Sequence, residues 1–294
     1  MSAAAQDVNA EKTSVVSVPP IPRGRSRTLF SRVSSMRQLR TAFDRVERSG
    51  KGTAGSDDIT VAFFAKKKNV RLRNLRDRLR AGSFQFSPLR PIAIPKKGKS
   101  GYRPLLIPTV EDRVVQRAIL GVIAKPLQPH VSHTHSHAFR EHVGVGTAVR
   151  QLTTELERGK KTVLTVDIVD FFPSIDVERV FDDLLRVLPD DSLDGLLRQL
   201  QRWEINDLSS LPSHKRSCFP SSGRGIPQGS ALSPIVSNFY LRGFDAQAKD
   251  EPFALIRYAD DIAVVCDTRP SRRGLRVDRA TLERYWLTST PTRQ

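Results

Sequence analysis

Two adjacent carboxylates, Asp260 and Asp261, lie between two apolar runs rich in β-branched residues within residues 254–266. Runs of this kind predict two strands, and their short connection predicts a hairpin with residues 259–261 at its tip. Two carboxylates at the tip of a buried hairpin repel each other and raise each other's pKa, unless a cation lies beside them. A divalent cation such as Mg²⁺, which prefers hard oxygen ligands, is one solution, and a hydrated Asp-Asp turn is the other.

The charge distribution points to a polyanionic partner. The 294 residues carry a net charge of +17; residues 1–160 contain 30 Lys and Arg against 12 Asp and Glu, whereas residues 161–294 contain 18 against 19. A basic first half suits phosphate binding. The sequence shows no apolar run of about 18 residues, no secretory signal pattern and no disulfide framework. We therefore expect a cytoplasmic protein that handles nucleic acid and makes no membrane contact.

Basic residues cluster in two segments of the first half. Residues 66–82 predict one helix whose apolar members are Val70, Leu72, Leu75 and Leu79. The cations of this helix form either a solvated charged face or a clamp on a nucleic-acid backbone, and we favour the clamp, formed by Lys66, Lys67, Lys68, Arg71 and Arg73. Residues 92–107 predict a β-hairpin with Lys96, Lys97 and Lys99 at its tip and Arg103 at the start of its second arm.

Other segments predict strands, helices and one rigid turn. Residues 162–168 predict a buried strand with Asp167 near its end. An unpaired carboxylate is rare in so apolar a strand, so Asp167 is a candidate functional residue. Apolar spacing predicts helices over residues 36–48, 111–124 and 177–188. Residues 225–230 predict a glycine-hinged turn, followed by a helix that Ser233 caps. Five histidines within residues 130–142 match no zinc-finger spacing, so we expect a polar loop there rather than a metal site.

One carboxylate at a strand end and a pair at a hairpin tip can hold two Mg²⁺ ions about 4 Å apart, the arrangement that activates a hydroxyl and stabilises a leaving pyrophosphate. The order of these motifs resembles a reverse transcriptase of the bacterial group II intron-like or retron-type branch. The matching segments, in chain order, are residues 52–60, 94–116, 136–148, 166–176, 225–234 and 258–261. Six motifs in the expected order make the resemblance specific.

The resemblance implies an α+β, right-hand-like polymerase fold with fingers and a palm, whose antiparallel sheet is backed by helices. It implies RNA-directed DNA polymerase activity, in which the 3′-hydroxyl of a DNA or RNA primer attacks a deoxynucleoside triphosphate on an RNA template. The metal ligands would be Asp167, Asp260 and Asp261 with the backbone carbonyl of Ile168. The cofactor would be two Mg²⁺ ions, with Mn²⁺ as a substitute.

The resemblance also assigns contacts to the incoming nucleotide. Arg103, with Lys96 or Lys97, would neutralise the triphosphate. Phe172 would be the steric gate that excludes a 2′-hydroxyl, although it is equally interpretable as a core aromatic, as Phe171 is. Gln228 would contact the template strand or the nascent pair. Asp170 and Asp176 are expected to cap turns rather than to bind metal.

We expect four regions: a disordered basic lead (residues 1–30), the fingers (31–160), the palm (161–268) and an atypical Arg-rich tail (269–294). Because the tail lacks the expected primer grip and thumb, we interpret the chain as truncated after the Asp-Asp motif. A nucleic-acid-binding remnant with weak or no activity is the alternative function, and a template-independent or RNA-synthesising polymerase is a third. The biological role stays open between a retroelement, a CRISPR-associated system and antiviral defence, and so do the protein partners.

Overall fold

The computed structural model describes residues 28–49, 53–98, 100–140, 142–168, 170–250 and 253–267. These residues form twelve α-helices, three short 3-10 helices and five strands. The helices of the first half are α1 (Leu29–Val33), α2 (Met36–Ser49), α3 (Val61–Lys66), α4 (Lys68–Arg80), α5 (Val110–Val131) and α6 (Val145–Glu157). Those of the second half are α7 (Phe171–Ser174), α8 (Val177–Val187), α9 (Asp194–Gln199), α10 (Ser213–Arg216), α11 (Ser233–Tyr240) and α12 (Arg242–Gln247). The strands are β1 (Arg90–Pro95), β2 (Tyr102–Ile107), β3 (Thr162–Asp167), β4 (Ala254–Tyr258) and β5 (Asp261–Cys266).

Helix α5 is the central element of the helical lobe, and α1, α2, α8 and α11 pack against it. Its apolar residues Val114, Val115, Ala118, Ile119 and Ile123 are fully buried. The side chain of Thr109 caps its first turn by accepting a hydrogen bond from the backbone N–H of Asp112 at 3.2 Å. The predicted helix over residues 111–124 is therefore confirmed, and it continues to Val131.

The basic segment that we predicted as one helix is two helices. α3 ends at Lys66, and Lys67 has φ −126° and ψ 32°, values outside the α-helical region, before α4 begins at Lys68. Leu72, Leu75 and Leu79 are buried as predicted. The prediction for Val70 was wrong, because its side chain is 49% exposed. Val70 and Leu72 are two positions apart in α4, so they point about 200° apart around the helix and cannot both face the core.

Two antiparallel sheets are present. β1 and β2 form the predicted hairpin, with Arg90 paired to Ile107 and Pro95 paired to Tyr102. The second sheet has the strand order β3-β5-β4, with β5 in the middle and antiparallel to both neighbours. The predicted hairpin of residues 254–266 is confirmed, since β4 and β5 pair directly and are joined through Ala259 and Asp260.

Strand β3 is not the buried strand that we predicted. Its residues alternate between half-buried and exposed, and Val163 is 41% exposed. This alternation indicates that one face of β3 packs toward the core while the other meets solvent.

A single apolar core joins the helical lobe to the sheet of β3, β4 and β5. It runs from Leu39 and Phe43 in α2 through α5 to Phe239 in α11 and Val264 in β5. α6 packs against β4 and β5. The α+β architecture is thus confirmed, whereas the boundary between fingers and palm at residue 160 stays a prediction. Residues 1–27 of the predicted lead and the predicted tail (269–294) lie outside the described residues, and α1 begins at Leu29.

Candidate active site

Asp167 and Asp261 occupy opposite positions on two paired strands. Asp167 is the last residue of β3 and Asp261 is the first of β5, and their Cα atoms are register partners. The Cβ atoms of directly opposed residues in antiparallel strands lie about 4.5–5.5 Å apart, and opposed like charges destabilise a sheet. Both side chains are exposed. The strand pairing therefore brings together two carboxylates separated by 94 positions in the sequence.

The third carboxylate lies in the tight turn between β4 and β5. Tyr258 pairs with Asp261, which leaves Ala259 and Asp260 as the central residues of a two-residue hairpin turn. Ala259 has φ 59°, a left-handed conformation that alanine rarely adopts. Positive φ at the first central residue matches a type II′ turn, in which glycine is usual. The turn is strained, and the surrounding structure has to maintain it.

The charges around Asp260 place the carboxylates in one electrostatic site. Burial raises the pKa of the half-buried Asp260, and the charges of Asp261 and Asp167 raise that pKa further. A hydrogen bond from its own backbone N–H and the positive charge of Arg103 act in the opposite direction. Arg103, near the start of β2, is exposed and close enough to Asp260 to interact with it. The first β-hairpin therefore places a positive charge within electrostatic range of the turn that contains Asp260.

The donor set fits a divalent cation. Within the described part of the chain, no three His, Cys, Asp or Glu side chains are arranged to hold a metal ion by themselves. Mg²⁺ is usually bound by one or two carboxylates and completes its shell with water and substrate phosphates. The opposed pair Asp167–Asp261 and the raised pKa of Asp260 are features that a divalent cation would relieve. The backbone carbonyl of Ile168 stays a predicted ligand.

Residues 170–176 follow Asp167 in the sequence. Phe171 is buried as predicted, and Phe172 is half-buried with its ring centroid 5.4 Å from that of Phe171. Asp176 caps α8 by accepting a hydrogen bond from the backbone N–H of Arg179 at 3.0 Å, which confirms that prediction. Asp170 lies at the N-cap position of α7 with φ 48°, but its side chain makes no capping hydrogen bond.

The glycine-hinged turn of residues 225–230 connects the first β-hairpin to the segment of Phe172. The backbone N–H of Ile226 donates to the carbonyl of Phe172 at 3.0 Å, and the backbone N–H of Leu106 donates to the carbonyl of Gln228 at 2.7 Å. A Cβ on Gly225 would lie 2.2 Å from the carbonyl oxygen of Phe172, and one on Gly229 would lie 2.1 Å from that of Leu106. Both glycines have positive φ, 67° and 132°. Only glycine permits these approaches.

The basic residues predicted to contact nucleic acid have different environments. Lys66, Lys67 and Arg73 are exposed, and so is Lys96 in the first β-hairpin. Lys68 is paired with Asp44 at 3.1 Å, and its Nζ lies 5.2 Å from the ring centroid of Phe43. Arg71 stacks on Phe63 at 4.5 Å. Two of the five predicted clamp residues thus take part in packing between helices as well.

Sequence reasoning missed Arg257, which is completely buried three positions before Asp260. Its guanidinium donates to the carboxylate of Asp245, to Asn238 and to the backbone carbonyl of Ala259 in the turn between β4 and β5. An arginine among the apolar residues of β4 was the available signal, because buried arginines require partners. Its partners come from distant segments, which no local pattern reveals.

Most of the histidine-rich stretch is a loop after α5, as predicted, but its central residues are buried. His135 and His137 are buried. Their backbones are hydrogen-bonded to Arg257, whose N–H donates to the carbonyl of His135 at 2.7 Å and whose carbonyl accepts from the N–H of His137 at 2.8 Å. The ring of His137 is hydrogen-bonded to Thr147 and Gln151, and burial lowers its pKa. The stretch supports β4 from the side.

Among the described residues, no helix is long and apolar enough to span a bilayer.

Comparison with known proteins identifies the family. The family model for reverse transcriptase (RNA-dependent DNA polymerase) matches residues 94–286, a range that extends into the segment we had predicted to be an atypical tail. Protein YkfC of Escherichia coli K12 is 31% identical over 207 residues, which cover 68% of this chain and 52% of YkfC.

The names of two further relatives refer to a group II intron and to a retron. The group II intron-encoded protein LtrA of Lactococcus lactis is 27% identical over 202 residues, covering 67% of this chain and 31% of LtrA. The retron Mx162 reverse transcriptase of Myxococcus xanthus is 30% identical over 182 residues, covering 58% of this chain and 34% of that enzyme. The chain thus spans about half the length of YkfC and about a third of the other two. It belongs to the reverse transcriptase family, in the group that includes group II intron-encoded and retron enzymes.

Proposed function

We propose that the chain extends a primer 3′-hydroxyl with deoxynucleotides on an RNA template, with release of pyrophosphate. The observation that carries this proposal is the register pairing of Asp167 with Asp261, beside Asp260 in its strained turn. Three carboxylates at one end of a sheet, facing a cationic hairpin, suit phosphoryl transfer, which depends mainly on positioning and electrostatic stabilisation. Membership of the family supports the same reaction class.

Asp167, Asp260 and Asp261, with the backbone carbonyl of Ile168, would hold two divalent cations, Mg²⁺ or Mn²⁺. These ions, when bound, would lower the pKa of the attacking hydroxyl and neutralise charge on the leaving pyrophosphate. The protein's contribution is to keep the carboxylates opposed before substrate arrives. The paired strands β3 and β5 supply that order, because their ladder fixes the Cα atoms of Asp167 and Asp261 opposite each other.

The first β-hairpin would bind the triphosphate. Arg103 is exposed and interacts electrostatically with Asp260, so it lies on the side from which the phosphates would approach. Lys96, exposed near the tip, would add a second positive charge. The bond from Leu106 to the carbonyl of Gln228 fixes β2 three residues after Arg103, so the hairpin is held in position relative to the turn.

Phe172 would contact the sugar of the incoming nucleotide and exclude a 2′-hydroxyl, which selects deoxynucleotides. Its ring is half-buried against Phe171, and its carbonyl is fixed by Ile226. The half-buried Gln228 would contact the template strand or the nascent pair. Lys66, Lys67 and Arg73, with the paired Lys68 and Arg71, would bind the backbone of the template and primer in a salt-dependent manner. We infer a cytoplasmic location for this reaction.

A primer-extension assay tests the proposal. The purified chain is mixed with a DNA primer annealed to an RNA template, deoxynucleotides and Mg²⁺. We expect extension by the wild type and its loss in Asp167→Asn and Asp260→Asn, with unchanged template binding by fluorescence anisotropy. Asp182→Asn, a substitution in α8 at an exposed ion pair with Arg198, is the matched control and should retain activity.

The other possible results of this assay distinguish the alternative functions. Binding of the RNA–DNA duplex without extension would favour a nucleic-acid-binding remnant. Extension without template, or a preference for ribonucleotides, would favour the third function, a template-independent or RNA-synthesising polymerase. Extension by either Asp→Asn variant would refute the assignment of that carboxylate to the metal site.

A further inference from the structure

All five N–H donors of the Arg257 guanidinium have acceptors. Nε donates to Asp245 Oδ1 at 2.8 Å, and Nη2 donates to Asp245 Oδ2 at 2.5 Å and to Ser136 Oγ at 2.8 Å. Nη1 donates to Asn238 Oδ1 at 3.1 Å and to the carbonyl oxygen of Ala259 at 2.9 Å. Arginine is suited to this arrangement, because its planar fork fixes the directions of all five bonds.

The ion pair between Arg257 and Asp245 is fully buried, with both side chains 0% exposed. Burial by itself would raise the pKa of Asp245, but His135, whose Nε2 lies 3.5 Å from Asp245 Oδ1, and the hydrogen bonds from Arg257 outweigh that effect, and the pKa is lowered. Asp245 is therefore ionised. Replacing a buried ion pair by apolar residues is often neutral or stabilising, so this pair is weak support for a purely stabilising role. Its one bond to the catalytic turn indicates another role.

That bond fixes the peptide plane that leads into Asp260. The carbonyl of Ala259 and the backbone N–H of Asp260 belong to the same rigid, planar peptide unit. The Cα atom that carries the Asp260 side chain is bonded directly to this unit. Rotation of this plane would therefore move the carboxylate. Because Ala259 is in a strained conformation, with φ 59°, the plane requires an external partner to keep its orientation.

We propose that Arg257, held by Asp245 and Asn238, is a positioning residue that sets the orientation of the Asp260 carboxylate through the carbonyl of Ala259. The inference deepens the proposed function and rests on it for the role of Asp260 as a metal ligand. Arg257 contacts neither substrate nor metal. It acts on the site as an outer partner that orients a ligand, and loss of such partners costs roughly 10–100-fold in metal affinity or activity.

The test compares Arg257→Lys with a control that breaks an ion pair of α6, the helix that packs against β4 and β5. Lysine keeps the charge near Asp245, but it is a point donor that cannot hold Asp245 and Ala259 in one fixed plane. Lys160→Met is the control, because Lys160 pairs with Glu155 at 2.7 Å, where Glu155 belongs to α6 and is mostly buried. Lys160→Met removes an ion pair and leaves the turn untouched, whereas Arg257→Lys loses the bond to the carbonyl of Ala259.

The first readout is Mn²⁺ binding, followed by electron paramagnetic resonance. Binding is measured on the chain alone and in a mixture with RNA template, dideoxy-terminated primer and deoxynucleotide. In the mixture, substrate oxygens can complete the coordination of the metal, and the terminated primer prevents the reaction. We expect binding that Asp260→Asn abolishes, that Arg257→Lys weakens by about tenfold, and that Lys160→Met leaves unchanged. The second readout is primer extension, in which kcat should fall by about tenfold in Arg257→Lys while the Kd for primer–template stays the same.

Several outcomes would overturn the inference. One is an Arg257→Lys variant that melts at a lower temperature but binds Mn²⁺ and turns over like the wild type. Another is the absence of any Mn²⁺ binding that depends on Asp260. If Arg257→Lys does not fold, Ser136→Ala removes only one acceptor of Nη2 and should give a smaller loss of Mn²⁺ affinity; an unchanged affinity there would refute the proposal. A wild type that binds Mn²⁺ through Asp260 but extends no primer would refute the proposed function. The positioning role would then be decided by the Mn²⁺ affinity of Arg257→Lys alone.

Discussion

Asp167 and Asp261 face each other at the open end of the β3–β5 ladder, each in an exposed position, with no residue of either strand between them. Native sheets rarely oppose like charges, because the repulsion weakens the ladder. Functional sites retain such unfavourable arrangements when a ligand uses them. The opposition therefore leads us to predict that the stability of the chain depends on a bound divalent cation.

We predict that Asp167→Asn stabilises the chain in EDTA and removes its stabilisation by Mn²⁺. Without metal, the variant should gain up to about 1 kcal/mol, because one opposed charge is gone. With Mn²⁺ at about 100 times its Kd, the wild type should gain about 2.7 kcal/mol and the variant much less. Urea unfolding in EDTA and in Mn²⁺ measures both effects. Asp182→Asn should respond to Mn²⁺ like the wild type; an equal response of Asp167→Asn would show that Asp167 holds no metal.

We predict opposite effects for two glycine-to-alanine substitutions. Gly225→Ala should destabilise the chain by at least about 1–3 kcal/mol, because φ is 67° and the new Cβ would meet the carbonyl oxygen of Phe172 at 2.2 Å. Gly146→Ala is the control in α6, where a Cβ meets no atom within 4 Å, and it should stabilise by about 0.5–1 kcal/mol. Urea midpoints measure both. Equal midpoints for the two variants would contradict the close approach.

We predict that Phe172→Ala lowers the preference for deoxynucleotides over ribonucleotides. Loss of the ring would leave room for a 2′-hydroxyl, and the measurement is the ratio of kcat/KM for the two substrates in primer extension. Phe139→Ala removes an aromatic ring that is 50% exposed and should leave the ratio unchanged. If Phe172→Ala keeps the wild-type ratio while it extends primers, Phe172 is a core aromatic and not a steric gate.

We predict a pH-dependent stability contribution from Asp112, a buried residue that lines a cavity of about 590 Å³. Burial raises its pKa from 3.8 to about 7, although hydrogen bonds from Thr109 and Ser87 oppose the shift. The folded state thus holds a proton that the unfolded state releases near pH 4. Stability from this group is complete below pH 4 and is lost as the pH rises to about 7.

Asp112→Asn, which is neutral at every pH, should therefore gain stability over the wild type as the pH rises. The difference in the free energy of unfolding should grow by about 3 kcal/mol between pH 5 and pH 8. Urea unfolding at both values measures it. Asp77→Asn, at an exposed ion pair with Arg76, is the control and should show no comparable change. A constant difference for Asp112→Asn would mean that the carboxylate is ionised throughout this range in the folded state.

Local patterns predicted the elements that carry the site. The hairpin of residues 254–266, the hairpin of residues 92–107 and the helix beginning near Val177 were predicted from alternation, turn residues and helical spacing, which depend only on neighbours in the sequence. The errors have a common cause. The break at Lys67, the exposure of Val70 and the half-covered face of β3 depend on which other elements pack nearby.

The sequence by itself determined that three aspartates end strands or occupy a turn, and the order of the motifs determined the family. Only the tertiary structure decided that Asp167 is opposite Asp261, that the turn of Gly225 and Gly229 connects Phe172 to Leu106, and that Arg257 bonds Ala259. Strand register and buried polar partners are set by contacts between segments far apart in the chain, such as Arg257 with Ser136, 121 positions away. Their energies depend on geometry that forms only when the core is packed, so no local pattern encodes them.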